Sequence, residues 1–421
     1  MGIKNVAFVG LGYIGLPTAV TLANHGLNVT GVDVDERKVE TINQGELTIV
    51  EPGLKEALKD ALESGNFRAS TVMPHADAYV VAVPTPFTGG HEINMEYIYS
   101  AADAIAPNLR GGELIVLEST SPPKTTEKMA RRILDLCPHL AADGDCDRNA
   151  KEVIYFAHCP ERILPGNAME ELKTNDRIIG GMSAKAASLA AELYGTFCSG
   201  KLLSTNDRTA ELAKLTENSF RDVNIAFANE LSLICDDLGI DVWELIDLAN
   251  HHPRVNILEP GPGVGGHCIA VDPWFIVSAA PEVSRLIHMA RRVNDGKPEF
   301  VVDKVVEAAE GAESGGIAVL GLAFKPNIDD LRESPAVRIT ADLAKRLPDT
   351  MIYAVEPNVA ELPSSLQQYA NIKLDSIRNA IDSSAVVVLL VNHDEFYRVS
   401  EEALQGKAVV DTKGVWRTSA V

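Results

Sequence analysis

The chain has 421 residues, 46% of them hydrophobic and 23% charged, the balance of a globular protein with core enough for two or three domains. Its formal net charge of −21 argues against a nucleic-acid partner, because phosphate recognition needs a basic face. No apolar run reaches the length of a membrane span, and the N-terminus enters a strand pattern without the regions of a secretory signal, so no membrane partner is expected.

Residues 5–9 form an apolar strand followed at once by Gly10-Leu11-Gly12-Tyr13-Ile14-Gly15, then a helical run from 16 to 25 and a second strand over 28–32 that ends on Asp33. Strand, glycines, helix, strand and terminal acid fall in the register of a dinucleotide fold. Gly10 makes the tight turn, Gly12 lets backbone amides approach a pyrophosphate, and Gly15 lets the helix pack on the sheet. Asp33 suits an adenosine ribose and hence NAD, while Arg37 and Lys38 beside it keep the 2′-phosphorylated cofactor as the alternative.

Further strand–helix units follow. The strand over 77–83 runs into Pro84-Thr85-Pro86, and that over 113–118 into Ser119-Thr120-Ser121-Pro122 and a helix carrying Thr125 and Thr126. Hydroxyls at strand ends face the ligand edge of an open parallel sheet or serve as helix caps, and the residues alone favour neither. The polar stretch 141–150 reads as an exposed loop. A strand over 153–157 leads into Cys159-Pro160-Glu161-Arg162-Ile163, a site-like position, and another covers 176–181.

From 207 to 238 there is no glycine or proline and the apolar spacing is helical. Lys214, Asn218 and Arg221 share one face of that helix, either a solvated stripe or a polar site. The polar segment 250–256 breaks the run; its His251-His252 pair has no third ligand at metal spacing, so no metal is expected. Then comes Gly261-Pro262-Gly263-Val264-Gly265-Gly266-His267-Cys268, with Asp272 four residues on. Such a loop can wrap a ligand and present a thiol beside it, or be a turn ending in a small apolar cysteine. The six cysteines, at 137, 146, 159, 198, 235 and 268, keep no framework or zinc spacing, which fits a reducing cytoplasm.

Strands over 317–322, 352–355, 385–391 and 408–411 indicate a second open parallel sheet without an intact glycine fingerprint, and the Arg-rich run 285–297 a linking helix. Lys325, Arg332 and Lys413 lie at predicted strand ends, where basic residues fit phosphate neutralisation. The expected fold is α/β: two Rossmann-like doubly wound parallel-sheet domains, 1–205 and 301–421, joined by a long central helix and a helical middle domain over 206–300.

In this order, the glycine fingerprint, Cys-Pro-Glu-Arg, Lys-Leu-Thr-Glu-Asn, Gly-Gly-His-Cys-Ile-Ala-Val-Asp and Gly-Leu-Ala-Phe-Lys-Pro resemble the UDP-glucose/GDP-mannose dehydrogenase family over essentially the whole chain. The resemblance implies a four-electron oxidation of a sugar C6 alcohol to a carboxylate with two NAD. It implies Cys268 as the nucleophile of a thiohemiacetal and thioester, and Lys214 as general acid/base or oxyanion cation. By the same resemblance Asn218 and Asp272 would position water and tune Lys214, Glu161 would serve thioester hydrolysis, and Thr120 matches a family hydroxyl near the reacting carbon. NAD contacts are implied for Tyr13, Ile14, Asp33, Thr85, Thr126 and Arg332. UDP-sugar contacts are implied for Arg162, Ile163, Lys214, Asn218, Arg221, His252, Arg254, Gly265, Phe324, Lys325 and Lys413.

An arginine matching Arg254 comes from a neighbouring subunit in relatives, which implies a homodimer. His267 before the cysteine favours a UDP-N-acetylhexosamine, and other motif details the manno sugar, with the gluco epimer as the alternative. Two other classes stand beside this reading: a hydroxyacid-type dehydrogenase using one NAD(P) and no cysteine, and a nucleotide sensor without turnover.

Overall fold

The computed structural model describes residues 2–87, 89, 92–144, 152–163, 166–266, 268–312 and 315–417. They fall into two compact units, Met1–Glu217 and Asn218–Val421.

In the first unit the described residues contain nine strands: β1 Asn5–Val9, β2 Asn28–Val32, β3 Phe67–Ser70, β4 Ala78–Val81, β5 Leu114–Leu117, β6 Leu140–Ala142, β7 Glu152–His158, β8 Arg177–Gly181 and β9 Leu202–Asn206. Their order is β3-β2-β1-β4-β5-β7-β8-β9, with β6 pairing to β7. Alternate residues feed two faces: Val6 and Phe8 of β1 enter one core, Ala7 and Val9 the other. A strand buried on both faces reads as an unbroken apolar run, which is why β1, β4 and β5 were legible.

The expected α/β fold with two parallel sheets is borne out, with one strand pair reversed and one loop reading to correct. The sheet is not wholly parallel, since β8 runs antiparallel to β7. Only Ala157↔Gly181 and His158↔Gly180 pair, so the start of β8 overhangs the C-terminal end of β7. Strand direction is a property of the connection, and an apolar run carries no sign of it. Nor is the stretch from 141 all exposed loop: Leu140–Ala142 is buried strand β6, three small apolar residues masked by the polar run after them. Residues 145–150, with Cys146, and His267 lie outside the described residues.

The second unit begins within the helix Asp207–Leu238 and continues through helices Val242–Asn250, Asp272–Ala279 and Arg285–Gly311. The last contains the Arg-rich run and, inside it, Pro298. Five parallel strands follow among the described residues, β10 Gly316–Leu320, β11 Ile352–Val355, β12 Ile372–Leu374, β13 Ser384–Leu389 and β14 Ala408–Asp411, in the order β12-β11-β10-β13-β14. Ile317 and Val319 face one core, Ala318 and Leu320 the other.

Candidate active site

At the C-terminal edge of the first sheet, Gly10 follows β1 with φ +96°, and a Cβ there would lie 2.5 Å from the Ala82 carbonyl oxygen. A Cβ on Gly15 would lie 1.8 Å from the Gly10 carbonyl oxygen, whereas one on Gly12 would meet nothing within 4 Å. Gly10 and Gly15 are therefore required by the fold, and Gly12 keeps open the space a ligand's phosphates need. The helix Gly15–Asn24 has no side-chain cap and no acidic residue in its first turn, leaving its N-terminal amides for an anion.

Asp33, at the end of β2, accepts the Leu11 N–H at 3.0 Å, the Asp35 N–H at 3.1 Å and Lys38 Nζ at 2.9 Å. Burial alone would raise its pKa, but these donors outweigh burial and hold the carboxyl below the usual range. Lys38 is thus engaged by Asp33, an arrangement that suits NAD better than its 2′-phosphorylated relative. Tyr13 is exposed beside the turn, and Ile14 precedes the helix. Thr85 Oγ1 donates to the Thr120 carbonyl at 2.8 Å, which ties the ends of β4 and β5 together.

Thr126 is fully buried; its N–H and hydroxyl both donate to Glu211 Oε1 at 2.7 Å, and the Lys124 N–H donates to Glu211 Oε2 at 2.6 Å. Glu211, on the long helix, thereby caps the helix Thr125–Leu136. Burial pushes its carboxyl up to about 7 against those hydrogen bonds. Lys214 is half-buried one turn further along. Glu161 follows β7, accepts the Arg162 N–H at 2.7 Å and meets Arg177 Nη2 at 2.5 Å. Arg162 reaches Glu217 at 2.9 Å, and Ile163 is half-buried.

In the second unit, Asn218 Nδ2 donates to Asp272 Oδ2 at 2.5 Å. Asp272 is buried and opens the helix Asp272–Ala279, its N–H donating to the Cys268 carbonyl at 2.8 Å. The four-residue spacing is one helical turn, so Cys268, exposed, sits one turn from Asp272. The glycine loop before it is tightly packed. A Cβ on Gly263 would meet Pro298 and Pro335 at 3.1 Å, one on Gly265 the Glu333 carbonyl at 2.6 Å, and one on Gly266 the Phe324 ring at 3.1 Å. Lys413 Nζ approaches the Pro260 carbonyl at 3.5 Å, and burial lowers its pKa.

The second unit thus gathers Asn218, Cys268, Gly265, Asp272, Phe324 and Lys413 about one loop. Arg221, His252, Arg254 and Lys325 stand exposed, and Arg332 forks onto Asp330 at 2.9 and 2.6 Å. Sequence reasoning missed a buried chain behind the loop. Asn229 accepts the Gly261 N–H and donates to Asn294 at 2.8 Å; Asn294 donates to Asp222 at 2.8 Å, and Arg291 to Asp222 at 2.6 Å. Polar residues at apolar helix positions were the available signal. Among the described residues no cluster of three or more His, Cys, Asp or Glu could hold a metal, and no helix is long and apolar enough to cross a membrane.

An open helix N-terminus and a buried acid at the end of β2 fit a dinucleotide-dependent oxidoreductase, and the second unit carries an exposed cysteine after its glycine loop. Family models match residues 4–198 (NAD binding domain), 208–296 (central domain) and 318–418 (UDP binding domain). The chain belongs to the UDP-glucose/GDP-mannose dehydrogenase family, and it is an NAD-dependent oxidoreductase acting on a UDP-sugar. It is 53% identical to the UDP-N-acetyl-D-mannosamine dehydrogenase of Yersinia pestis, over 99% of this chain and 100% of that one. It is 50% identical to an NDP-N-acetyl-D-galactosaminuronic acid dehydrogenase of Ralstonia nicotianae, over 99% and 97%. Among solved structures, the UDP-N-acetyl-mannosamine dehydrogenase of S. aureus matches with TM-score 0.84 at 39% identity, covering 99% of this chain and 96% of the other. The corresponding Pyrococcus horikoshii enzyme matches with TM-score 0.83 at 36%, covering 99% and 97%.

Proposed function

We propose that the chain oxidises the C6 alcohol of UDP-N-acetyl-D-mannosamine to the carboxylate, consuming two NAD and one water. Full-length similarity to enzymes of that name carries the reading. The three-domain division at 1–205, 206–300 and 301–421 is the working description of how the parts are shared.

The residues that suit NAD are Gly10, Gly12, Tyr13, Ile14 and Asp33 around the open helix end, with Lys38 holding Asp33 and Thr85, Thr126 and Arg332 as further members. Bound NAD supplies the hydride acceptor for both oxidations. The chain supplies the rest. Lys214 takes the hydroxyl proton as the alcohol becomes an aldehyde. An aldehyde has no second hydride to give until a nucleophile adds, so the Cys268 thiolate attacks the carbonyl carbon and the oxyanion takes a proton. Loss of hydride from that adduct, and of its hydroxyl proton to Lys214, leaves a thioester. Water then adds, Glu161 taking its proton; the C–S bond breaks and the thiol is regenerated with the acid. Asn218 and Asp272 hold water beside the thiol, and Thr120 lies near the reacting carbon. Arg162, Ile163, Arg221, His252, Arg254, Gly265, Phe324, Lys325 and Lys413 bind the UDP-sugar.

The working assembly is a homodimer in the cytoplasm. In support, Phe220, Phe227, Ile234 and Leu238 repeat along one helix face and are 71%, 53%, 47% and 63% exposed, a stripe that suits a partner surface. Arg254, in its exposed turn, serves the neighbouring active site.

A second reading is favoured by the Ralstonia relative: a galacto rather than manno acetamido sugar. The test measures NADH formed per sugar with the UDP-linked manno, gluco and galacto N-acetylhexosamines side by side. Two NADH from the manno sugar and little from the others is expected. Two from another epimer moves the substrate and keeps the chemistry, and one from any sugar removes the role given to Cys268.

A further inference from the structure

We propose that Arg177, held between Glu118 and Glu161 at the overhanging start of β8, is a positioning residue that fixes the Glu161 carboxylate for thioester hydrolysis. The proposal rests on the reading of Glu161 as the hydrolytic base. It begins from topology: because β8 overlaps β7 by only two residue pairs, Arg177 is carried past His158 to the segment that bears Glu161.

There the side chains of Arg177 and Glu161 are 5% and 7% exposed and meet at 2.5 Å. The other Glu161 oxygen accepts the Arg162 N–H, so both oxygens are held and the carboxylate has one orientation. The guanidinium cannot swing away, because the Tyr194 and Phe197 rings lie 4.8 and 5.3 Å from its carbon. A planar donor against a carboxylate, with rings beside it, is an arrangement lysine cannot reproduce.

Glu118, at the end of β5, completes the group. Its Oε1 lies 3.6 Å from Arg177 Nη1 and accepts the Tyr194 hydroxyl at 3.1 Å, while its Oε2 has no hydrogen-bond partner among the described residues. Cys159 is buried against the same charges. Two carboxylates and one guanidinium out of water leave one anion in excess, which is costly. Burial first, and then Glu161, push Glu118 up to about 8, so near neutral pH Glu118 is protonated and the cation belongs to Glu161. When Glu118 ionises, Arg177 is shared between two anions and its hold on Glu161 weakens. A purely structural ion pair would affect stability and leave the individual steps alone; a positioning pair acts on hydrolysis.

The test is single-turnover oxidation by the full chain with NAD and UDP-N-acetyl-D-mannosamine, following NADH and the mass of the Cys268 adduct. Glu161→Gln serves as reference and is expected to form two NADH per site and then retain the acyl adduct. Arg177→Lys is expected to retain the same adduct, with hydrolysis slowed roughly tenfold or more and both hydride steps near the native rates. Glu118→Gln, which cannot ionise, is expected to shift the alkaline decline of hydrolysis to higher pH. If Glu161→Gln accumulates adduct and Arg177→Lys does not, the positioning role is overturned while the reading of Glu161 survives. If Glu161→Gln accumulates none, that reading falls and takes this assignment with it. Should Arg177→Lys fail to fold, a native alkaline profile in Glu118→Gln overturns the proposal by itself.

Discussion

The side-chain carbonyl of Asn229 accepts the backbone N–H of Gly261 at 2.9 Å, and both groups are buried. This bond ties the long helix to the head of the glycine loop that ends at Cys268. Behind it, Asn294, Asp222 and Arg291 hold Asn229 in turn. The loop is therefore anchored at its start by a polar chain and along its length by Pro298, Pro335 and Phe324.

Asn229→Ala should leave the Gly261 N–H and one face of Asn294 unpaired, at about 2–3 kcal/mol. Urea unfolding would measure the loss. Turnover should fall by more than stability explains, because the loop that presents the thiol loses its anchor; full kcat with reduced stability would show that the packing alone holds the loop.

The second and third glycines of the fingerprint should respond differently. Gly15→Ala places a methyl on the Gly10 carbonyl and should lower the melting temperature sharply. Gly12→Ala meets no protein atom within 4 Å and should fold normally, yet bind NAD at least roughly tenfold more weakly, about 1.4 kcal/mol. Thermal melts and NAD titration by calorimetry decide between them. Normal NAD affinity in Gly12→Ala would mean that the pyrophosphate does not pass there.

His158 is fully buried, with no hydrogen-bond partner for either ring nitrogen among the described residues, and burial drives its pKa down to about 3. The unfolded chain binds a proton near 6.5 that the folded chain refuses. Stability contributed by the neutral ring is thus present above about pH 6.5 and is lost as pH falls toward 3, with about 2 kcal/mol gone by pH 5. His158→Leu should remove that part of the acid sensitivity. Stability of both proteins against pH checks it, and parallel curves would refute the assignment.

The exposed helix face predicts the assembly. Phe220→Glu with Phe227→Glu should convert a dimer into a monomer with its melting temperature little changed by charge alone, read by sedimentation equilibrium. A native chain already monomeric at micromolar concentration would remove the dimer.

Much of the fold was legible because its strands are buried on both faces and so spell themselves as apolar runs between glycines and prolines. Strands β3, β9 and β12 were not, since Arg68, Ser204 with Thr205, and Lys373 interrupt them. On the site, local spacing determined what local geometry decides: Gly10, Gly12 and Gly15 at one turn, Asp33 at a strand end, and Cys268 one helical turn before Asp272. Only the tertiary structure decided the rest. That β8 reverses against β7, that Arg177 consequently meets Glu161 and Glu118, that Glu211 caps Thr126, and that Asn229 holds Gly261 are pairings between residues 16 to 85 positions apart. Nothing in the neighbourhood of either member signals its partner. A buried charge or amide must find a partner wherever the chain brings one, and that choice is made by packing.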